Sequence, residues 1–304
     1  MFYLEEKNVA TIDSYVCPAC ANSVNTAAYI YRDSSQSEEA HILRCQNCTI
    51  MFARPILIPE LADRQMDSLD DAEMYGSQVM KTLHEQLYIK KEIRLIKKAG
   101  LAGGNLLDVG CGAGWISNIW AQNGFQVTGL EPSLARCNFA REKYGLNVVN
   151  EYIENTEFDR CFDVSILRHV IEHFQDPGVV LRKIHGTLKK DGVVMVIVPN
   201  IDSIGRYLFG VGWEWVLPWH CNFFNKRSLE TLLEESGFEI IKTYQTASPF
   251  YYFESMARKF DSKFLNSINN RFKVASMLTT APVAITGLAL GLGDNLTTLA
   301  RVRK

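Results

Sequence analysis

A run of glycines directly after a short apolar segment constrains the fold more than any other feature. Residues 105–109 are apolar enough for a buried strand, and Trp115–Gln122 has the spacing of a helix. Between them lie Gly110, Gly112 and Gly114, which permit positive φ and let a ligand approach the backbone. Free N–H groups at the start of the helix favour an anionic group. The order of strand, tight turn and helix predicts a nucleotide-like ligand here.

Two positions narrow the class of ligand. A dinucleotide-binding loop counted from Gly110 needs a glycine at position 115, where this chain has Trp115. Glu131 ends the next apolar segment, 125–131, where an acidic side chain can accept hydrogen bonds from ribose hydroxyls. Together they argue against a pyrophosphate and favour an adenosine ligand with a free ribose.

Longer stretches resemble the class I S-adenosyl-L-methionine-dependent methyltransferases. Asp108-Val-Gly-Cys-Gly-Ala-Gly114 and Gly129-Leu-Glu-Pro-Ser133 look like motifs I and II of that family. Residues 162–177 and 220–238 are similar to later segments of its ubiquinone-type, methyltransferase-23-like branch. The resemblance covers about 80–247 and a terminal strand. It implies S-adenosylmethionine as the cofactor, with these residues at the binding positions: Asp108, Gly110, Cys111, Gly112, Gly114, Trp115, Glu131, Pro132 and Arg168.

Strands and helices alternate from residue 78 to the end. After a helix over 78–100, strands are predicted near 105–109, 125–131, 146–150, 162–167, 192–198, 238–246 and 295–303. This alternation predicts an α/β, Rossmann-like, doubly wound seven-stranded sheet in a methyltransferase domain over 78–304. The resemblance implies that the last strand is antiparallel and that a helical insert, about 248–293, precedes it.

Two Cys-x-x-Cys pairs precede this domain. They comprise Cys17, Cys20, Cys45 and Cys48. Each pair presents two thiolates from one turn, and two pairs complete a tetrahedral zinc site that is closed to water and therefore structural. A candidate hairpin, 26–31 with 40–44, lies between the pairs. We predict a zinc ribbon over 1–55 and a linker or cover over 56–77, with metal-free thiols or a catalytic dithiol as alternatives.

The cysteine module also has a family resemblance. Arg44-Cys-Gln-Asn-Cys48 with Met51-Phe-Ala-Arg-Pro55 looks like the N-terminal zinc knuckle of bacterial methyltransferases from glycan and antibiotic-sugar pathways. A similar module precedes an rRNA guanine methyltransferase. The resemblance therefore suggests a sugar acceptor and leaves an RNA base as an alternative.

Residues 169–173 form the pattern H-x-x-E-H, an inverted zinc-protease signature. On a helix, His169 and His173 would share one face and Glu172 could act as a base. The methyltransferase-like order of the surrounding segments argues against a protease. Some enzymes of the ubiquinone branch hold a divalent ion with E-x-x-E-H, but here His169 replaces the first glutamate. A purely structural role for Glu172 and His173 is the alternative to catalysis.

His220 is a further candidate base. It follows Trp213-Glu-Trp-Val-Leu-Pro-Trp219, an aromatic insert expected to line the acceptor pocket. Methyl transfer to a hydroxyl needs alignment of the reactants and removal of a proton. An imidazole with an ordinary pKa of about 6.5 suits that task. We therefore predict His220, His173 and Glu172 as catalytic residues, with a structural His220 as the alternative.

Composition limits the classes of function and partner. The chain has 304 residues, 47% of them hydrophobic, and a formal net charge of -2. Without a long Lys/Arg run there is no broad electrostatic footprint for duplex binding, which argues against a nucleic-acid partner. Met1-Phe-Tyr-Leu-Glu-Glu places carboxylates where a secretory signal has a basic and then an apolar stretch. We therefore expect a cytoplasmic protein with reduced thiols.

Residues 274–293 contain no charged side chain but are interrupted by Pro282 and by glycines. The family resemblance implies a lid or helix pair, and peripheral membrane contact is the alternative. The family resemblances together imply O-methylation of a sugar or glycan intermediate. The alternatives are a quinone-like or polyketide acceptor, an RNA base, and a non-catalytic binding protein of the same fold. The oligomeric state is not predicted.

Overall fold

The computed structural model describes residues 2–5, 11–33, 39–55, 78–217, 219–247, 249–260, 262 and 273–303. The predicted linker or cover, 56–77, lies outside the described residues.

The N-terminal residues form short antiparallel strands. These are β1 (Phe2–Glu5), β2 (Thr11–Val16), β3 (Ser23–Asp33), β4 (Glu39–Arg44) and β5 (Met51–Arg54). β3 pairs with β4, so the predicted hairpin is present, and β4 pairs with β5. Each cysteine pair lies in a tight turn that ends in a residue of positive φ, Ala21 at 58° and Thr49 at 68°. The two turns are therefore alike, as a pair of zinc knuckles requires.

The larger sheet has seven strands. The strands after β5 are β6 (Gly104–Val109), β7 (Phe125–Leu130), β8 (Asn147–Val149), β9 (Phe162–Arg168), β10 (Leu188–Pro199), the short β11 (Asn222–Phe223), β12 (Phe238–Thr246) and β13 (Asn295–Val302). Without β11, their order is β12-β13-β10-β9-β6-β7-β8. β6 to β10 run parallel, and β13 is antiparallel to both of its neighbours. The predicted Rossmann-like, doubly wound sheet is confirmed, as is its antiparallel last strand.

Helices cover both faces of this sheet. They are α1 (Gln78–His84), α2 (Lys90–Lys98), α3 (Trp115–Gln122), α4 (Leu134–Tyr144), α5 (Pro177–Thr187), α6 (Ile204–Phe209), α7 (Lys226–Glu235), α8 (Tyr252–Lys259) and α9 (Lys273–Ala289). A π-helical turn, Glu85–Ile89, joins α1 to α2, so the predicted helix over 78–100 is present with a local widening. Ile89, Ile93 and Ile96 pack with Trp120 on one face. His84 at the end of α1 contacts Trp115, so this part of the helix lies beside the residue that follows the glycine loop.

The cysteine module and the larger domain share a core. β5 pairs with β11, which joins the module to the segment after the aromatic insert. Leu43, Ile50 and Phe52 are completely buried, in one cluster with Phe224 and with Leu229 of α7. The predicted domain boundaries stay predictions, but the hydrophobic core is continuous from the module into the domain.

The insert before the last strand contains the helices α8 and α9. α9 includes Pro282 and leaves Leu278 and Ile285 more than 60% exposed, at 63% and 62%. Among the helices of the described residues, none has the length and hydropathy needed to cross a bilayer. Peripheral membrane contact through 274–293 stays a prediction.

Candidate active site

The glycine loop follows β6 at the carboxyl edge of the sheet. Gly110, Gly112 and Gly114 have φ of 70°, 55° and 80°. A Cβ on Gly110 would lie 2.5 Å from Val170 Cγ2, and one on Gly114 would lie 2.7 Å from Ala140 Cβ. No atom lies within 4 Å of a Cβ placed on Gly112. Two glycines are therefore required for packing, and Gly112 leaves the loop backbone open to a ligand.

Replacing Gly112 with alanine should weaken cofactor binding at a small cost in stability. Because the space is open, the cost is that of a left-handed alanine, about 1–2 kcal/mol in the free energy of unfolding. Gly145 gives a matched control, since it has a φ of 65°, equally open space, and a position after α4. Denaturant unfolding should show similar losses for Gly112→Ala and Gly145→Ala. In calorimetry, only Gly112→Ala should lose affinity for S-adenosylmethionine, by about tenfold or more. This loss corresponds to at least about 1.4 kcal/mol of binding free energy. Equal affinities would mean that the donor does not contact this backbone.

Glu131 stabilises the glycine loop through hydrogen bonds to backbone amides. Its Oε2 accepts a hydrogen bond from the Gly112 amide at 2.9 Å, and its Oε1 accepts one from the Ser133 amide at 3.0 Å. The side chain is 3% exposed. A carboxylate has about four lone-pair sites, so bonds to ribose hydroxyls remain available. Glu131 therefore lies where the sequence places it and also fixes the loop. Pro132 follows at the rim, and its carbonyl accepts a bond from Asn150.

Asp108 is buried and Cys111 is half-buried beside the glycine loop. Ser117 Oγ donates to Asp108 Oδ2 at 2.5 Å, and burial raises the pKa of the Asp108 carboxyl to about 6. The Cys111 side chain turns back onto Gly129, against which it leaves no room for a Cβ, and packs near Cys137. Burial raises the pKa of its thiol. Cys111 can thus offer a ligand its backbone, while its thiol belongs to the packing.

The helix from α1 to α2 contributes residues that the sequence analysis missed. The His84 ring lies 5.6 Å from that of Trp115 and 4.9 Å from that of Tyr88, between centroids. Burial lowers the pKa of His84 to about 3, so its imidazole is neutral. Arg168, at the end of β9, forms a buried ion pair with Glu92 of α2. The sequence does contain a signal for this ion pair, since Glu92 lies on the helix face that carries the buried isoleucines. Because unpaired buried carboxylates are rare, a glutamate at such a position indicates a basic partner.

The H-x-x-E-H segment is not an α-helix. His169 has a left-handed φ of 52°, and only Ile171–His173 form a short 3-10 turn. His169 and His173 therefore do not share a helical face, and the protease-like arrangement is wrong. The His169 ring instead stacks on Trp215, with 4.5 Å between centroids and 8° between planes. The Trp215 ring also contacts the Tyr251 ring, with 4.8 Å between centroids.

Glu172, His173 and His220 converge at the same edge of the sheet. One donor atom from each lies within 4.8 Å of the others. The His220 Nδ1 lies 2.9 Å from the Trp215 carbonyl oxygen, and the His173 Nδ1 lies 3.3 Å from that of Trp219. A carbonyl only accepts, so each Nδ1 donates and each Nε2 keeps its lone pair. Burial lowers the pKa of His220 to about 3, in contrast to the ordinary value expected from the sequence.

The cysteine module helps to position this cluster. Ala53 of β5 donates to the Cys221 carbonyl at 2.9 Å, and the Cys221 amide donates to the Glu172 carbonyl at 2.8 Å. Asn222 Nδ2 donates to the Phe174 carbonyl at 2.6 Å. Three segments far apart in the sequence therefore meet through backbone hydrogen bonds directly beside His220.

The sheet order, the open glycine loop and the acidic residue after β7 are together the features of the Rossmann-like methyltransferase fold. A family model described as a methyltransferase domain matches residues 82–243, and the chain belongs to this family.

Curated relatives agree with this class. The chain is 36% identical over 129 residues to the ubiquinone biosynthesis O-methyltransferase of Pseudomonas paraeruginosa, covering 40% of this chain and 55% of that protein. It is 30% identical over 124 residues to the protein of the same name from Rhodopseudomonas palustris, covering 39% of this chain and 49% of that protein. The chain thus spans about half the length of these curated relatives.

Solved structures share the fold. Magnesium protoporphyrin IX methyltransferase from Synechocystis, solved with S-adenosylhomocysteine, has a TM-score of 0.54 at 15% identity, covering 80% of this chain and 99% of that chain. The 1,6-didemethyltoxoflavin-N1-methyltransferase of Burkholderia thailandensis, also with S-adenosylhomocysteine, has a TM-score of 0.51 at 16% identity, covering 90% and 99%.

Proposed function

We propose that the chain transfers the methyl group of S-adenosylmethionine to a hydroxyl oxygen of a small ring-shaped acceptor. The observation that supports this most directly is the aromatic cluster beside His173 and His220, in which His169 stacks on Trp215 and Tyr251 contacts Trp215 edge to face. Flat faces suit a planar or sugar ring, and the adjacent Nε2 lone pairs can accept the hydroxyl proton. The O-methyltransferase name of the curated relatives favours oxygen as the acceptor atom.

Two acceptor chemistries are candidates for this site. A phenolic, quinone-like ring is favoured by the names of the curated relatives, and we place it first. A sugar or glycan hydroxyl, which the sequence analysis placed first, is favoured by the resemblance of the cysteine module. Both require proton removal and alignment with the sulfonium, so the same residues serve either acceptor.

Transfer of labelled methyl groups from S-adenosylmethionine to a panel of acceptors tests the proposal. The panel contains catechol-type phenols, nucleotide-activated sugars and total RNA. We expect label on phenolic oxygen, and a kcat about 10²- to 10⁴-fold lower in His220→Asn with donor affinity unchanged. His185→Asn, which changes a half-buried imidazole of α5, should match the wild type. Label on sugars alone would move the assignment to a glycan, and label on nitrogen or RNA would overturn O-methylation.

We also propose a structural zinc ion in the N-terminal module. The Sγ atoms of Cys17 and Cys48 are 3.5 Å apart, and those of Cys20 and Cys45 are 3.6 Å apart. A tetrahedral zinc with Zn–S bonds of about 2.3 Å needs sulfur separations of about 3.8 Å. The four thiols therefore fit the ion with small adjustments, and because four ligands fill a tetrahedral site, no coordination position is left open for catalysis.

A further inference from the structure

Glu172 is a buried carboxylate that lacks a conventional partner. It is 1% exposed, and both carboxylate oxygens are buried without a hydrogen bond to any described residue. The Nδ1 of His169 lies 3.5 Å from Oε1, which is longer than a normal hydrogen bond. Burying an ionised carboxylate is costly unless another charge or a metal compensates it. Binding of a cation is the simplest account of this position.

The two imidazoles around Glu172 have the environment of metal ligands. His173 and His220 each donate Nδ1–H to a backbone carbonyl, which fixes the tautomer and ring orientation. Metal-bound histidines almost always donate their second ring N–H in this way. The remaining Nε2 atoms carry the free lone pairs. With Glu172, they supply two nitrogen donors and one oxygen donor.

The donor set differs from the one that the family resemblance implies. In E-x-x-E-H the first position is a carboxylate, but here it is His169, whose ring is stacked on Trp215. The carboxylate-rich set is therefore absent from this segment. His220, from the far side of the aromatic insert, completes a group with Glu172 and His173 instead.

We propose that Glu172, His173 and His220 bind one divalent first-row transition cation, at a site separate from the four cysteines. Two imidazoles and one carboxylate favour zinc, iron or cobalt over magnesium or calcium, which prefer oxygen donors. Three protein ligands leave coordination positions open, unlike the closed cysteine site. When bound, such a cation lowers the pKa of a coordinated hydroxyl. In that state the two Nε2 lone pairs are occupied by the cation, so the lowered pKa of the coordinated hydroxyl replaces proton acceptance by a free imidazole. That catalytic use rests on the proposed O-methylation, whereas the binding itself does not.

Zinc content of the purified full-length chain tests the site. Protein loaded with Zn²⁺ and freed of excess by gel filtration is measured by elemental mass spectrometry. His220→Asn and Glu172→Gln should each hold one zinc ion fewer per chain than the wild type. Asparagine keeps an amide donor for the Trp215 carbonyl and removes the Nε2 ligand. Added Zn²⁺ should also raise the melting temperature of metal-stripped wild type more than that of His220→Asn.

Two histidine variants serve as controls. His169→Asn and His185→Asn should hold as much zinc as the wild type. Loss of zinc in His169→Asn would assign the ion to the H-x-x-E-H residues and overturn the proposed set. Equal zinc in the wild type, Glu172→Gln and His173→Asn would overturn the site altogether. A lost ion in these variants, combined with no methyl transfer to any hydroxyl by the wild type, would leave the metal site standing and reject only the proposed function.

Discussion

Replacement of Cys45 by serine is expected to remove one zinc ion per chain and to unfold the N-terminal module. Structural zinc in small modules contributes on the order of 10 kcal/mol, and such modules do not fold without it. Cys45 is 1% exposed and begins the second knuckle. Because Ile50 and Phe52 pack with Phe224 in one cluster, the damage should spread beyond the module. Elemental analysis and hydrogen exchange measure both effects.

Hydrogen exchange should locate the spread of this damage. We expect faster exchange in β4, β5 and β11, and protection of the glycine loop close to that of the wild type. Cys161→Ser makes the same chemical change at a cysteine outside both donor clusters and should retain all bound zinc. Unchanged zinc content in Cys45→Ser would reject the four-cysteine site. Zinc loss without faster exchange would show that the module folds without the metal.

Sequence patterns were sufficient for the larger sheet because its central strands, β9 and β10, are largely buried. Residues 193–198 form an uninterrupted apolar run, which is typical of a parallel strand covered on both faces. The glycine loop was equally predictable, since a turn between strand and helix needs positive φ. The separate roles of its glycines could not be predicted. Whether a glycine serves packing, as at Gly110, or ligand access, as at Gly112, depends on neighbours such as Val170 that are distant in the sequence.

The acceptor side was predicted less well, for two physical reasons. The H-x-x-E-H spacing suggests a helix, but the backbone at His169 turns left-handed as its amide bonds to the Ile197 carbonyl of β10. Tertiary bonding therefore overrides the local pattern. The pairing of β5 with β11 joins segments far apart in the chain, which periodicity cannot detect. The placement of Glu172 beside His220 depends on that pairing.

Replacing Glu131 with alanine should weaken S-adenosylmethionine binding by roughly 1.5 to 3 kcal/mol, or about 10- to 150-fold, as expected for hydrogen bonds to a charged group. The Gly112 and Ser133 amides also lose their acceptor, so the free energy of unfolding should fall by about 1–3 kcal/mol. Glu131→Gln should recover little of either, because its amide N–H₂ would face one of the two backbone donors.

Calorimetry and denaturant unfolding separate the two contributions of Glu131. The control is Glu142→Ala on the exposed side of α4, which should change neither quantity. If Glu131 acts only on the loop, saturating S-adenosylmethionine should stabilise Glu131→Ala and the wild type equally once their unliganded stabilities are subtracted. If it also binds ribose, the stabilisation of the variant should be smaller by the affinity difference measured in calorimetry. Equal affinity in Glu131→Ala and the wild type would contradict the ribose role, and an unchanged free energy of unfolding of the unliganded variant would contradict the loop role.

A comparison with NAD tests the argument from Trp115. If the wild type binds NAD as tightly as S-adenosylmethionine, that argument is contradicted, because helix packing at that position would then be compatible with a pyrophosphate.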